Sequence, residues 1–225
     1  MNTQEDKEGL GSNMKIVFAT GNKHKIQEVN EIAKGSGIEF VLPPEDFNPI
    51  ENGLTFEENS FIKAQEAAQI SGRISLADDS GLCVEALNGE PGIYSARYDT
   101  TPQKRIDKLL NNLTDAANRR AKFVCAMTLV DKDGNVIRQE VGECHGVIAQ
   151  NQAGDNGFGY DPIFIPDGYS ITIAQMSEEE KNTISHRSRA LRKMIKFINS
   201  RSLNAQSNFD TDNNHSGDNF STICH

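Results

Sequence analysis

KIVFATGNKHKIQEVNEIAKG, residues 15–35, reads as a strand, a glycine turn and a helix in direct succession. Lys15 to Ala19 is a short apolar run suited to a buried strand, and Thr20-Gly21-Asn22 interrupts it. Ile26, Val29, Ile32 and Ala33 then recur at helical spacing on one face, with Gly35 placed to end the helix. A strand that feeds a helix through a glycine turn is the unit of α/β architecture.

Working outward, Glu39 to Leu42 makes a second short strand, and Pro43, Pro44 and Pro49 forbid regular structure up to Gly53. Thr55 and Glu58 match a capping box ahead of a helix to about Ser71 that turns Phe61, Ala64 and Ala68 inward. Ile74 to Ala77 is expected as a strand that Asp78-Asp79-Ser80-Gly81 cuts short, with Leu82 to Leu87 resuming an extended run. Pro102 to Asn112 reads as a helix. Ala121–Val130 and Val136–Ile148, joined through Asp133-Gly134, read as a long antiparallel hairpin. A last helix from about Ser185 to Asn199 carries Leu191, Met194, Ile195 and Ile198 on one face. Residues 1–13 and 201–225 lack an apolar period and are expected to be disordered, leaving one catalytic domain over residues 14–200.

The 225-residue chain carries 23 Lys and Arg against 32 Asp and Glu, so it has no broadly basic face for nucleic acid. A polyanion would need a focused basic pocket instead. No stretch reaches the roughly 18 apolar residues of a membrane span, and the first residues lack a signal-peptide layout, so a soluble cytoplasmic protein without a membrane partner is expected. Cys83, Cys125, Cys144 and Cys224 lack metal-site spacing and read as reduced thiols. Cys144 beside His145 could be read as a nucleophile and base, but adjacent strand residues face opposite ways and do not easily hydrogen-bond, which favours a buried thiol.

Four constellations could carry chemistry. Thr20 to Lys25 places amides of a helix N-terminus beside lysine, which suits an anion, although the same turn is an ordinary helix entry. Asp78-Asp79 with Glu51 upstream offers oxygen ligands for a hard cation, or else a solvated turn; Glu57 and Glu58 are assigned to capping. Gly154 to Pro162 combines glycines with Phe158 and Tyr160, which suits a stacked nucleobase or a plug in the core. Lys181, His186 and Arg187 near a helix start suit a base carbonyl or phosphate, or a solvated face.

In this order, TGNKHK (20–25), ENGLTFEENSFIKA (51–64), LADDSGL (76–82), PGIYSARY (91–98), GFGYDPIF (157–164) and EEKNTISHR (179–187) resemble the inosine triphosphate pyrophosphatase family, the non-canonical purine NTP pyrophosphatases. The resemblance runs from about Met14 to Ile198. It implies an elongated, two-lobed α/β fold with a long mixed central sheet, helices on its flanks and the active-site cleft between the lobes. It further implies a homodimer, Mg²⁺, and hydrolysis of ITP, dITP and XTP to monophosphate and pyrophosphate. By resemblance, Thr20, Gly21, Asn22, Lys23, His24 and Lys25 bind phosphates with help from Lys63, and Glu51 and Asp79 hold the metal. Asp79 is also the candidate catalytic base, and Ser80 touches the substrate. Phe158, Gly159, Tyr160, Asp161 and Lys181 surround the nucleotide, while His186 and Arg187 face the purine 6-oxo edge. A relative acting on pyrimidine or modified nucleotides should lack the Ser-His-Arg ending, and a module without turnover should lack Glu51, Asp79 or Lys25; all are present.

Overall fold

The structure is a computed structural model that describes residues 13–212, with side chains through Arg201; the expected disordered ends at 1–12 and 213–225 lie outside the described residues. Six strands form one mixed sheet in the order β2-β1-β3-β4-β5-β6. The first unit is as the sequence reads: β1 (Met14–Phe18), α1 (Lys23–Ala33) and β2 (Ile38–Val41), with β2 parallel to β1. α2 (Phe56–Ser71) starts at Thr55, whose hydroxyl accepts the Glu58 amide, but the Glu58 carboxylate accepts from Leu54 N–H instead of closing the box on Thr55. α3 spans Pro102–Asn112, and β4 (Arg120–Val130) pairs with β5 (Val136–Ile148) as the expected hairpin. The short β6 (Phe164–Pro166) extends the sheet beyond β5.

The acidic stretch departs from expectation. Strand β3 (Ser75–Val84) is continuous through Asp78-Asp79-Ser80-Gly81, because β4 offers an unbroken ladder of partners from Val130 to Ala121. The two carboxylates therefore sit inside a strand, not at a solvent-facing strand end, and they are only 1% and 7% exposed. Successive strand residues point to opposite faces, so Asp78 and Asp79 look to different layers.

The apolar core divides along these long strands. On one face, Leu76, Cys125, Met127 and Leu129 pack with α1 and with α5 (His186–Asp212). On that same face but further along, Leu82, Val84, Ala121 and Phe123 pack with α3 and the residues around Ile163. Asp78 and Ser80 fall between Leu76 and Leu82 and make a polar gap between two apolar bodies, which gives the two-lobed arrangement its junction. The opposite face of the sheet buries Ala77 and Val130 under Ala64, Ala67 and Ala68 of α2.

The last helix runs past Ser200 to Asp212, where the sequence reading began a disordered tail. Residues 201–212 contain neither Gly nor Pro. Extending a helix already nucleated and packed fixes one residue per added bond, so no apolar face is needed to continue it.

Candidate active site

The site opens where β1 stops. Its register with β3 ends at Phe18 opposite Leu76, and the β3 edge is next engaged when Leu82 N–H donates to Ser95 Oγ. Between those points the strand edge faces the turn of Thr20 to Asn22 and the start of α1. Asp78 and Asp79 flank this opening from the two faces of the sheet.

On the α1/α5 face, Lys25 Nζ lies 3.0 Å from Asp78, and Arg187 reaches the same carboxylate through Nε and Nη2 at 3.2 Å. Arg187 Nη1 also donates to Glu28 at 2.7 Å and Nη2 to Ser80 Oγ at 3.0 Å. Among the described residues, four of its five guanidinium N–H groups are engaged and one on Nη1 remains. Burial opposes ionisation of Asp78, but Lys25 and Arg187 more than offset it and hold its carboxyl well below the usual range. Burial likewise works against the Arg187 charge, and Glu28 and Asp78 raise its pKa despite it. This buried cluster is ionic at neutral pH.

On the α2 face, Lys63 Nζ donates to Asp79 Oδ1 at 3.0 Å and to Glu51 Oε2 at 3.3 Å. Burial pushes the Asp79 pKa up, with Lys63 opposing, and its Oδ2 is buried without a hydrogen-bond partner among the described residues. For Lys63, burial is outweighed by Asp79, Asp78 and Glu51, so its ammonium is favoured. The Glu51 loop is tied down by Asn59, whose Oδ1 accepts Gly53 N–H at 2.9 Å. Among the described residues no group of three or more His, Cys, Asp or Glu is arranged for a metal ion. The Glu51–Asp79 pair with its unpartnered oxygen still suits a hard cation that completes its shell with water and phosphate oxygens.

The turn at Thr20 to Lys25 differs from a bare anion site. Asn22 caps α1, and its Oδ1 accepts from His24 N–H at 2.9 Å and more loosely from Lys25 N–H at 3.4 Å, so two amides expected to be open are engaged. Thr20 Oγ1 accepts Asn22 N–H, while Gly21 and Lys23 stay exposed.

Phe158 stands between these cations and a cavity of about 1070 Å³ whose wall includes His24, Glu28, Phe158, Asp155, Lys181 and Arg192. Its ring stacks on His24 at 6.0 Å, with Lys181 Nζ 4.6 Å and Arg187 Cζ 5.7 Å from its centroid. Asp161 clamps the loop: its Oδ2 accepts Phe158 N–H and Lys181 Nζ, both at 2.9 Å. A Cβ on Gly157 would lie 2.2 Å from that same oxygen, so no larger residue fits there, and Gly159 adopts φ +65°. Tyr160 does not join the site. Its ring packs in the second apolar body and its hydroxyl donates to Ser95 O at 3.0 Å, because the turn after Gly159 sends alternate aromatics to opposite sides.

His186 is buried and stacked on Phe123 at 4.8 Å; burial, reinforced by Arg187 and Lys181, holds its pKa well below 6.5, so it is neutral. Both His186 and Arg187 are set by the junction at Ser185, which ends α4 (Glu178–Ile184) and caps α5 through Ser188 N–H. α5 lies directly on Gly142, where an added Cβ would stand 2.2 Å from His186 O and 2.5 Å from Ala190 N. Gly142→Ala is therefore expected to lower stability by about 1–3 kcal/mol through overpacking. An unchanged denaturant midpoint would show that α5 can retreat without cost.

Sequence reasoning misses Glu28 and Asn59 and offers Asp78 only as one of a carboxylate pair for a hard cation, whereas the structure pairs it with Lys25 and Arg187. Glu28 follows Lys25 by one helical turn on α1, a spacing that places both on one face. Nothing local links it to Arg187, 159 positions away. Cys83, Cys125 and Cys144 are free thiols, and burial pushes Cys144 up to about 11 while exposed His145 pairs with Glu143.

The profile of the Ham1 family matches residues 16–197. A dITP/XTP pyrophosphatase of Prochlorococcus marinus is 45% identical over 183 residues, covering 81% of this chain and 93% of the relative. Two solved structures match in fold. A HAM1 protein from Coxiella burnetii superposes with a TM-score of 0.76 at 37% identity, and the Staphylococcus aureus Ham1 protein with 0.75 at 41%. Each covers 83% of this chain and 99% of the matched one.

Proposed function

The chain belongs to the Ham1 family, and from that premise we propose that it is a nucleoside triphosphate pyrophosphatase acting on deaminated purine nucleotides, ITP, dITP and XTP. The observation that carries this reading is an opening in the β3 strand edge flanked by two ionic clusters, Lys25–Asp78–Arg187 and Lys63–Asp79–Glu51.

Lys25 and Lys63 supply positive charge for a triphosphate, and their hold strengthens as charge collects on the departing pyrophosphate. Water adds to the α-phosphorus, the bond from it to the α–β bridging oxygen breaks with pyrophosphate leaving, and the Asp79 carboxylate accepts the proton of the water. Mg²⁺ is the cation we assign to Glu51 and Asp79, where it would neutralise phosphate charge and raise the acidity of water. The free Nη1 hydrogen of Arg187 and the Lys181 ammonium suit a 6-oxo acceptor, whereas the adenine amino group would leave such donors unpaired. His186, being neutral, holds its place by stacking and adds no charge. By the same resemblance we assign residues 14–200 as the catalytic unit and a cytoplasmic homodimer as the working form; sedimentation velocity checks the assembly. Among the described residues no helix is long and apolar enough to cross a membrane.

Product identity tests the reaction. With ITP and Mg²⁺ in ¹⁸O-water, ³¹P NMR should record inosine monophosphate and pyrophosphate in equal amounts, with the label in the monophosphate. Inosine diphosphate and orthophosphate would overturn the assignment.

A further inference from the structure

The Glu51–Asp79 pair already holds a cation of the protein's own. Lys63 Nζ is within hydrogen-bond distance of both carboxylates, and its side chain is only 9% exposed. It rises from the middle of α2, whose neighbouring Ala64 and Ala67 are fully buried against the sheet, so the backbone that carries it is fixed. The ammonium, by contrast, ends a four-carbon stem with rotatable bonds. Asp79, Asp78 and Glu51 together favour its charged form against burial. Asp79 Oδ2 is the one oxygen of the Asp79 carboxylate that Lys63 leaves without a partner.

We propose that Lys63 is the resident counter-ion of the Glu51–Asp79 pair, closing it to a divalent cation until a polyphosphate draws the ammonium away. This rests on the cation-dependent reading of the site given above. A dication entering beside this unit positive charge is repelled, and one oxygen of each acid, Glu51 Oε2 and Asp79 Oδ1, is already engaged by Lys63. A triphosphate changes that balance by giving the ammonium a second set of anionic oxygens, on which it can pivot without leaving the site. Cation and nucleotide then enter together, and metal-free protein keeps both acids paired to one ammonium. Lys63 is in this respect a positioning residue for the cation, in addition to any contact with phosphate.

Binding of Mn²⁺ alone, without nucleotide, to the full chain is the test, read by electron paramagnetic resonance of the free ion and by the rise in Tm that Mn²⁺ produces. Lys63→Gln keeps a hydrogen-bond donor for the carboxylates and removes the charge; Lys63→Met is the second variant. Each should bind Mn²⁺ about thirtyfold more tightly than the wild type, the factor expected from removing one unit charge about 4 Å from a dication in a water-like dielectric. Adding Asp79→Asn to Lys63→Gln should abolish the gain. Equal or weaker Mn²⁺ binding by both variants, in a preparation whose wild type turns over ITP with Mn²⁺, would overturn the role of Lys63. A wild type that never turns over ITP with either cation would instead overturn the function proposed for the site.

Discussion

Asp79→Asn leaves a folded protein whose kcat is lower by about three orders of magnitude or more, the scale expected when a metal ligand and proton acceptor are removed together. The fold should survive for an electrostatic reason. Burial raises the Asp79 pKa above its ordinary value, so the ionised carboxylate is less comfortable in the folded chain than in the unfolded one. At neutral pH the charge therefore subtracts from stability, and a neutral amide of the same shape relieves that cost while Lys63 keeps Glu51 as partner. The check is kcat for ITP alongside a denaturant midpoint. Turnover near that of the wild type in a folded variant would remove Asp79 from the chemistry.

Arg187→Ala acts on the opposite quantity, with an expected loss of about 3–5 kcal/mol of stability. Its guanidinium is 1% exposed and ties Glu28 of α1 and Asp78 of β3 to the start of α5. Truncation strands Glu28 without its cation and leaves Asp78 with Lys25 as its ion-pair partner and the Ser80 hydroxyl as a donor. The depressed pKa of Asp78 means that its contribution is fully present above its ordinary value of 3.8 and fades only as pH falls through the lower folded value. The loss should therefore be undiminished between pH 7 and pH 5. A midpoint within about 1 kcal/mol of wild type would show that the cluster relaxes or fills with water. Because Ala removes both the fold's clamp and the donor to the base, Arg187→Lys is the variant that isolates recognition. It keeps the charge, loses the fork, and should erode the ITP rate more than the ATP rate.

How much of this was legible in sequence follows from the range of each interaction. The hairpin of β4 and β5 was plain because alternation and the Asp133-Gly134 turn are local, and Gly134 does adopt φ +83°. Helices α1 and α2 are legible through local signals, the spacing of Ile26, Val29, Ile32 and Ala33 in the first and the Thr55 cap in the second. Strand β3 reads as two pieces in sequence, because Asp78-Asp79-Ser80-Gly81 suggest a break when only neighbours are weighed. Its continuity is decided by β4 and by cations from Lys25, Lys63 and Arg187, none of which is local. The same limit hid Glu28. For Tyr160 the aromatic and the preceding glycine are legible, but the side to which the ring turns depends on Ser95, 65 positions away. The ordered motifs brought the chemistry-bearing residues into one list; the gap left by β1 brings them into one place.

The measurement that bears most directly on the central claim is kcat/KM for ITP, XTP, GTP and ATP on one preparation, with Mg²⁺ and after chelation, pyrophosphate being the product counted. If donors at Arg187 and Lys181 read the 6-oxo edge, ITP and XTP should exceed ATP about a hundredfold or more, since each desolvated unpaired donor is worth about 1–3 kcal/mol. Chelation should abolish pyrophosphate release from all four. ATP cleaved as fast as ITP, or pyrophosphate released undiminished after chelation, would contradict the account.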